Sequence, residues 1–259
     1  MRNVKVLLHI ILVIVSINYL SATEPDTTND NTESNEVALF KAAYRGDLDA
    51  VKLLIEKGTN INARYFEDGR SALMIAYDEG NLNIIKFLLK NGADINLKDG
   101  QGRTALHSAS IDGNPIIVKH LLENKADPNS TNENGWTPIF AAGQNGKMEA
   151  VKLLIEKGAN INHKADDGTT PLMWFAYCGK IEIIKYLIQK KAKLNEQDDS
   201  GRTALMIAVE NNYLNIVKLL IEKKADINIK DNYDKTALDN ASDRGNIKIE
   251  KYLKGLGKK

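Results

Sequence analysis

Three stretches of the chain are near copies of one another: DAVKLLIEKGTNIN (49–62), EAVKLLIEKGANIN (149–162) and NIVKLLIEKKADIN (215–228). Self-similarity at a fixed period marks a repeat architecture, so it governs every later reading. Working outward, each copy lies downstream of an apolar anchor. The anchors are Leu39, Leu73, Leu106, Ile139, Leu172, Leu205 and Leu238, the first spaced by 34 residues and the rest by 33. Six anchors follow a hydroxyl residue and an Ala or Pro, as in SAL (71–73), TAL (104–106), TPI (137–139) and TPL (170–172). Seven residues past the anchors stand Gly46, Gly80, Gly113, Gly146, Gly179, Asn212 and Gly245.

Each position has a physical reading. The Ser or Thr is a helix N-cap whose oxygen satisfies a free backbone N–H. Pro138 and Pro171 sit just inside the helix, where a missing N–H costs nothing. The glycine closes a first helix in the left-handed conformation, with Asn212 the next best substitute. Val51, Leu54 and Ile55 then mark a second helix by their spacing, and a turn such as DGQG (99–102) leads to the next unit.

The period and the threonine-proline-leucine element resemble the ankyrin repeat, over about Val37 to Leu256, in seven units. The resemblance implies an all-α repeat solenoid of helix-turn-helix units with projecting β-hairpin fingers. Units of this kind bury their apolar sides only by stacking, so the terminal units differ. The first lacks a threonine-capped finger, and the last ends in KYLKGLGKK (251–259).

The 259 residues are 43% hydrophobic and 27% charged, which excludes collagen-like, disordered and disulfide-rich classes. Thirty-five Lys and Arg balance 34 Asp and Glu, so no strong field favours nucleic acid. Residues 1–22 read as a signal peptide: Arg2 and Lys5, an apolar run VLLHIILVIV (6–15), then Leu20-Ser21-Ala22. A membrane span needs about 20 apolar residues, more than this run supplies. Residues 23–36 (TEPDTTNDNTESNE) read as a disordered acidic linker, leaving 37–259 as the repeat domain. The protein is therefore expected to be exported, periplasmic or secreted, monomeric, and not inserted in a membrane once the signal is cleaved. Its Asn-, Ile- and Lys-rich text suits an AT-rich bacterial genome.

Several departures from the pattern stand out. His107 keeps a histidine that the family often places after the anchor, where the resemblance implies that it braces the cap. Lys125, Lys191 and Lys224 replace Gly58, Gly92 and Gly158 at the end of the second helix, each at a cost of roughly 1 kcal/mol if the backbone is left-handed. Phe175 replaces the alanine of the six sister units, beside Trp174, Tyr177 and Cys178. A ring at that position must overpack the stack or shift the helix.

The sequence holds no catalytic, cofactor-binding or metal motif. His120 reads as a packing residue and His163 as the start of a finger, and the lone Cys178 has no cysteine partner. Asp166, Asp167, Asp198 and Asp199 crowd neighbouring finger tips and read as polar turns. Asn129 and Asn240 begin glycosylation sequons, but Asn129 also holds a recurring structural position. The expected function is a non-catalytic scaffold or adaptor that binds a protein through its finger tips and concave helix face. The resemblance also admits an inhibitor or immunity protein, or an accessory factor for a secreted or periplasmic enzyme. The residues before the caps (Arg70, Arg103, Trp136, Arg202), with Trp174 and Tyr177 on a first helix, are the candidate protein-binding residues. Aromatics rimmed by arginine are the composition of interface hot spots.

Overall fold

The computed structural model describes residues 34–65 and 68–256. The expected export signal and most of the acidic linker lie outside them. Asn35 and Glu36, the last two residues of that linker, form the first turn of a helix.

Seven helix pairs follow in order. They are α1 (Asn35–Arg45) and α2 (Leu48–Glu56), α3 (Ala72–Asp78) and α4 (Leu82–Lys90), and α5 (Ala105–Asp112) and α6 (Pro115–Glu123). Next come α7 (Pro138–Gln144) and α8 (Met148–Glu156), α9 (Pro171–Tyr177) and α10 (Ile181–Gln189). The last are α11 (Ala204–Glu210) and α12 (Leu214–Glu222), then α13 (Ala237–Asp243) and α14 (Ile247–Leu256). The first helices of neighbouring units pack against one another along the whole row.

Local chemistry sets these boundaries. Ser71, Thr104, Thr137, Thr170, Thr203 and Thr236 are the N-caps of the odd-numbered helices from α3 onward. Ser71, Thr170, Thr203 and Thr236 accept the N–H three residues on, satisfying donors the helix leaves orphaned. All six anchor glycines and Asn212 have positive φ, between 59° and 74°. The following N–H reaches back over the helix end, as from Asp47 to the Ala42 carbonyl at 2.9 Å. Lys125, Lys191 and Lys224 hold the same left-handed backbone, at 69°, 67° and 74°.

One apolar core runs through every unit. Six anchors are at most 1% exposed, whereas Leu238 of the terminal unit is only partly buried. Phe175 is fully buried, and its ring occupies the space beside Gly143 of the preceding unit, which has no side chain. An ideal Cβ at Gly143 would overlap three carbons of the Phe175 ring, the most distant at 2.6 Å.

The connections are turns rather than strand pairs: no strand occurs among the described residues. Each finger is a hairpin turn closed by two main-chain bonds, such as Asp99 N–H to the Arg103 carbonyl at 2.7 Å and Gly102 N–H to the Asp99 carbonyl at 3.0 Å. Successive tips are stitched together. The N–H groups of Gly100, Glu133, Asp166, Asp199 and Asn232 donate to the carbonyls of Asp68, Gln101, Asn134, Asp167 and Ser200, at 2.7–3.2 Å. A second seam uses side chains. Asn62, Asn96, Asn129, Asn162 and Asn195 each accept a backbone N–H of the next unit, at 2.7–3.0 Å. Asn129 is thus engaged in the fold, as its recurring position implied, and its Nδ2 also donates to the Gly158 carbonyl at 3.0 Å.

Candidate functional site

The finger and first helix of the fourth and fifth units bring the candidate aromatics together. Trp136, just before the cap of α7, stacks on Phe140 of that helix at 5.6 Å between ring centroids and 16° between planes. Its other neighbour is Trp174 of α9, at 4.4 Å. Trp174 in turn stacks on Tyr177, one helical turn later, at 5.4 Å and 17°. The result is a continuous aromatic ladder from the core to the surface. Phe140 is buried, Trp136 half-buried, Trp174 7% exposed and Tyr177 39% exposed. Only Tyr177 is freely presented. The Trp174 indole N–H is buried and has no hydrogen-bond acceptor.

The candidate arginines are engaged within the protein. Arg103 donates through Nε to Asp99 Oδ2 at 2.9 Å, and Asp99 is buried. Arg202 grips Asp198 the same way, at 2.9 and 2.7 Å, and reaches Glu210 at 3.4 Å. Arg70 pairs with Asp78 and, at 3.9 Å, with Asp68. Arg70 and Arg103 side chains are only 11% and 18% exposed. These guanidinium groups fasten each finger to its own carboxylates, so little of their charge is free for a partner.

The histidines serve structure. His107 is 2% exposed; its Nδ1 accepts the Thr104 N–H at 3.1 Å, and its Nε2–H donates to the Trp136 carbonyl at 3.0 Å. Burial lowers its pKa to about 4, so the ring is neutral. It therefore braces the cap of its own unit against the next finger. His120 meets the Tyr77 hydroxyl at 3.2 Å, and burial raises the pKa of that tyrosine. His163 Nε2–H donates to the Gly135 carbonyl at 2.8 Å. Burial pushes the Cys178 thiol up to about 11, the reverse of an activated nucleophile. Among the described residues no group of His, Cys, Asp and Glu is arranged to hold a metal ion. No helix among them is long and apolar enough to cross a membrane.

The family model for ankyrin repeats matches residues 4–99, 96–165, 162–231 and 195–259. The chain belongs to the ankyrin repeat family. No curated protein matches it. Ankyrin repeat domains are generally protein–protein interaction modules and typically non-catalytic scaffolds, which agrees with a site built of aromatic surface rather than reactive groups. Sequence reasoning singled out Phe175 but missed its complement, Gly143. The signal was there, because Gly143 occupies the column of Ala43, Tyr77, Ser110, Ala176, Val209 and Ser242, where only it has no Cβ.

Proposed function

We propose that this ankyrin repeat protein is a non-catalytic scaffold or adaptor that holds a protein partner against the fingers and first helices of its fourth and fifth units. The observation that carries the reading is the ladder Trp136–Trp174–Tyr177, which ends in an exposed tyrosine backed by buried rings. A side chain so supported loses little entropy on binding and offers a large contact area. We place its action outside the cytoplasm, on the strength of the apolar run and small-residue end of residues 1–22.

The test is affinity capture from the native envelope fraction, followed by binding measurements with Tyr177→Ala. Affinity should fall by roughly 2 kcal/mol while the melting temperature holds. Unchanged affinity would move the binding face elsewhere. Trp136→Ala is the less clean variant, since Trp136 also packs on Phe140. Intact mass of the exported form should begin at Thr23; a form retaining Met1 to Ala22 in membranes would instead indicate an anchor.

A further inference from the structure

The third, sixth and seventh units share a device that the fourth and fifth lack. In those three, a buried aspartate (Asp99, Asp198 or Asp231) begins the finger and a basic residue (Arg103, Arg202 or Lys235) ends it. Arg103 and Arg202 neutralise their own aspartates, and Lys235 pairs with Asp243. At the matching places the fourth unit has Asn132 and Trp136, and the fifth has Ala165 and Thr169. Both members of the internal pair are replaced together.

The tip carboxylates remain. Glu133, Asp166, Asp167 and Asp199 sit on three successive fingers held in register by the backbone seam, and all four are exposed. Asp166 packs on Gly135, the residue before Trp136. From Ala126 to Gly146, and from Ala165 to Gly179, the chain carries no lysine or arginine. Of the cations brought near by other segments, Lys164 is held by Glu196 at 3.0 Å, Lys98 donates to the Thr131 carbonyl at 2.7 Å, and Arg202, which feels Asp167, is gripped by Asp198. Next to this acidic row the ladder ends in the exposed ring of Tyr177.

We propose that this patch binds a basic segment of the protein partner, one arginine or lysine side chain lying between Glu133, Asp166 and Asp167 and a second against the exposed ring of Tyr177. The first cation takes the role that Arg103 and Arg202 play in their own fingers. Stacking on the Tyr177 ring and forked pairing with a carboxylate both suit a guanidinium in particular. The inference rests on the function proposed above and adds the chemistry of the partner.

The chain's two tryptophans are both in the ladder, so tryptophan emission reports on this patch alone. The full protein is titrated with a short Arg-Gly repeat peptide, a Glu-Gly peptide of equal length, and calcium chloride. The Arg-Gly peptide should change the emission saturably, and the Glu-Gly peptide should not. Asp166→Asn with Asp167→Asn should weaken the response about tenfold. Asparagine preserves the acceptor that Asp167 offers the Thr169 N–H, so the variant keeps its turn. Salt at roughly 0.3 M should weaken binding in the wild type more than in the variant.

An unchanged response in the double variant, an equal response to the Glu-Gly peptide, or displacement of the peptide by calcium would each overturn the inference. The two proposals fail differently. If Tyr177→Ala abolishes partner binding while the Arg-Gly peptide leaves the emission unchanged, the surface stands and its cationic specificity falls. If the peptide binds but Tyr177→Ala leaves partner affinity intact, the function proposed above fails.

Discussion

Replacing Gly143 with alanine puts a methyl group where the Phe175 ring already lies. The ideal Cβ would lie within 2.6 Å of three ring carbons, against an ordinary contact of about 3.5–4.0 Å. The ring must therefore retreat by more than about 1 Å in a fully buried site, and overpacking of this kind costs about 1–3 kcal/mol. A Gly→Ala exchange inside a helix otherwise gains up to about 1 kcal/mol. The steric term wins, so Gly143→Ala should destabilise the wild type by about 1–2 kcal/mol. With Phe175→Ala, which restores the residue of the sister units, the sign should invert. There Gly143→Ala should stabilise by up to about 1 kcal/mol, a coupling of about 2–3 kcal/mol across the pair. Urea unfolding followed by circular dichroism for the four proteins of the cycle gives the number. Equal effects in both backgrounds, or a stabilising Gly143→Ala in the wild type, would show that the ring does not need the glycine.

Acid should act through His107. Its folded pKa of about 4 lies below the roughly 6.5 of an unfolded histidine, so only the unfolded chain takes up the proton between those values. Its contribution is intact above pH 6.5, falls as pH drops from 6.5 towards 4, and levels off below, for a total near 3 kcal/mol. His107→Met, the residue that sister units carry as Met74, Met173 and Met206, should flatten that part of a stability–pH curve measured by urea denaturation. Lys125→Gly, Lys191→Gly and Lys224→Gly should each raise stability by about 0.5–1 kcal/mol, since each lysine holds a left-handed backbone; a fall in the urea midpoint for all three would contradict this. Neither chelator nor reductant should shift the melting curve, because the core is apolar and Cys178 is a free cysteine; a large drop with chelator would indicate a bound metal.

The fold was legible because each structural task recurs. A threonine that caps one helix is weak evidence, but Thr104, Thr137, Thr170, Thr203 and Thr236 at one register define helix starts. The left-handed lysines were readable in the same way, from the column of glycines they interrupt. What escaped was contact between columns. Phe175 was visibly out of place, yet a periodic alignment shows which residues share a position and not which lean across to the next unit. Gly143 therefore went unpaired with it. The pairing of the rim arginines is a contact of another kind, within a single finger. Arg103 and Arg202 pair with the aspartates four residues earlier, Asp99 and Asp198. The spacing of Arg103 from Asp99, and of Arg202 from Asp198, carried that information. Exposure along the aromatic ladder was not readable at all, because Trp136 and Trp174 are large enough to cover one another.

The main-chain seam across the fingers restricts how this chain can change in length. Each interior tip donates to the finger before it and accepts from the finger after it, and donor and acceptor are always 32 residues apart, from Asp68–Gly100 to Ser200–Asn232. One inserted or deleted residue at an interior tip would misplace two bonds with opposite neighbours, so slippage on one side cannot repair the other. The single irregular spacing, 34 residues between Leu39 and Leu73, falls at the first capped finger, which has no finger before it among the described residues. Tolerance to small insertions should thus be confined to the ends of the row. Duplication or loss of an entire 33-residue segment is the change of length that leaves every remaining donor opposite an acceptor.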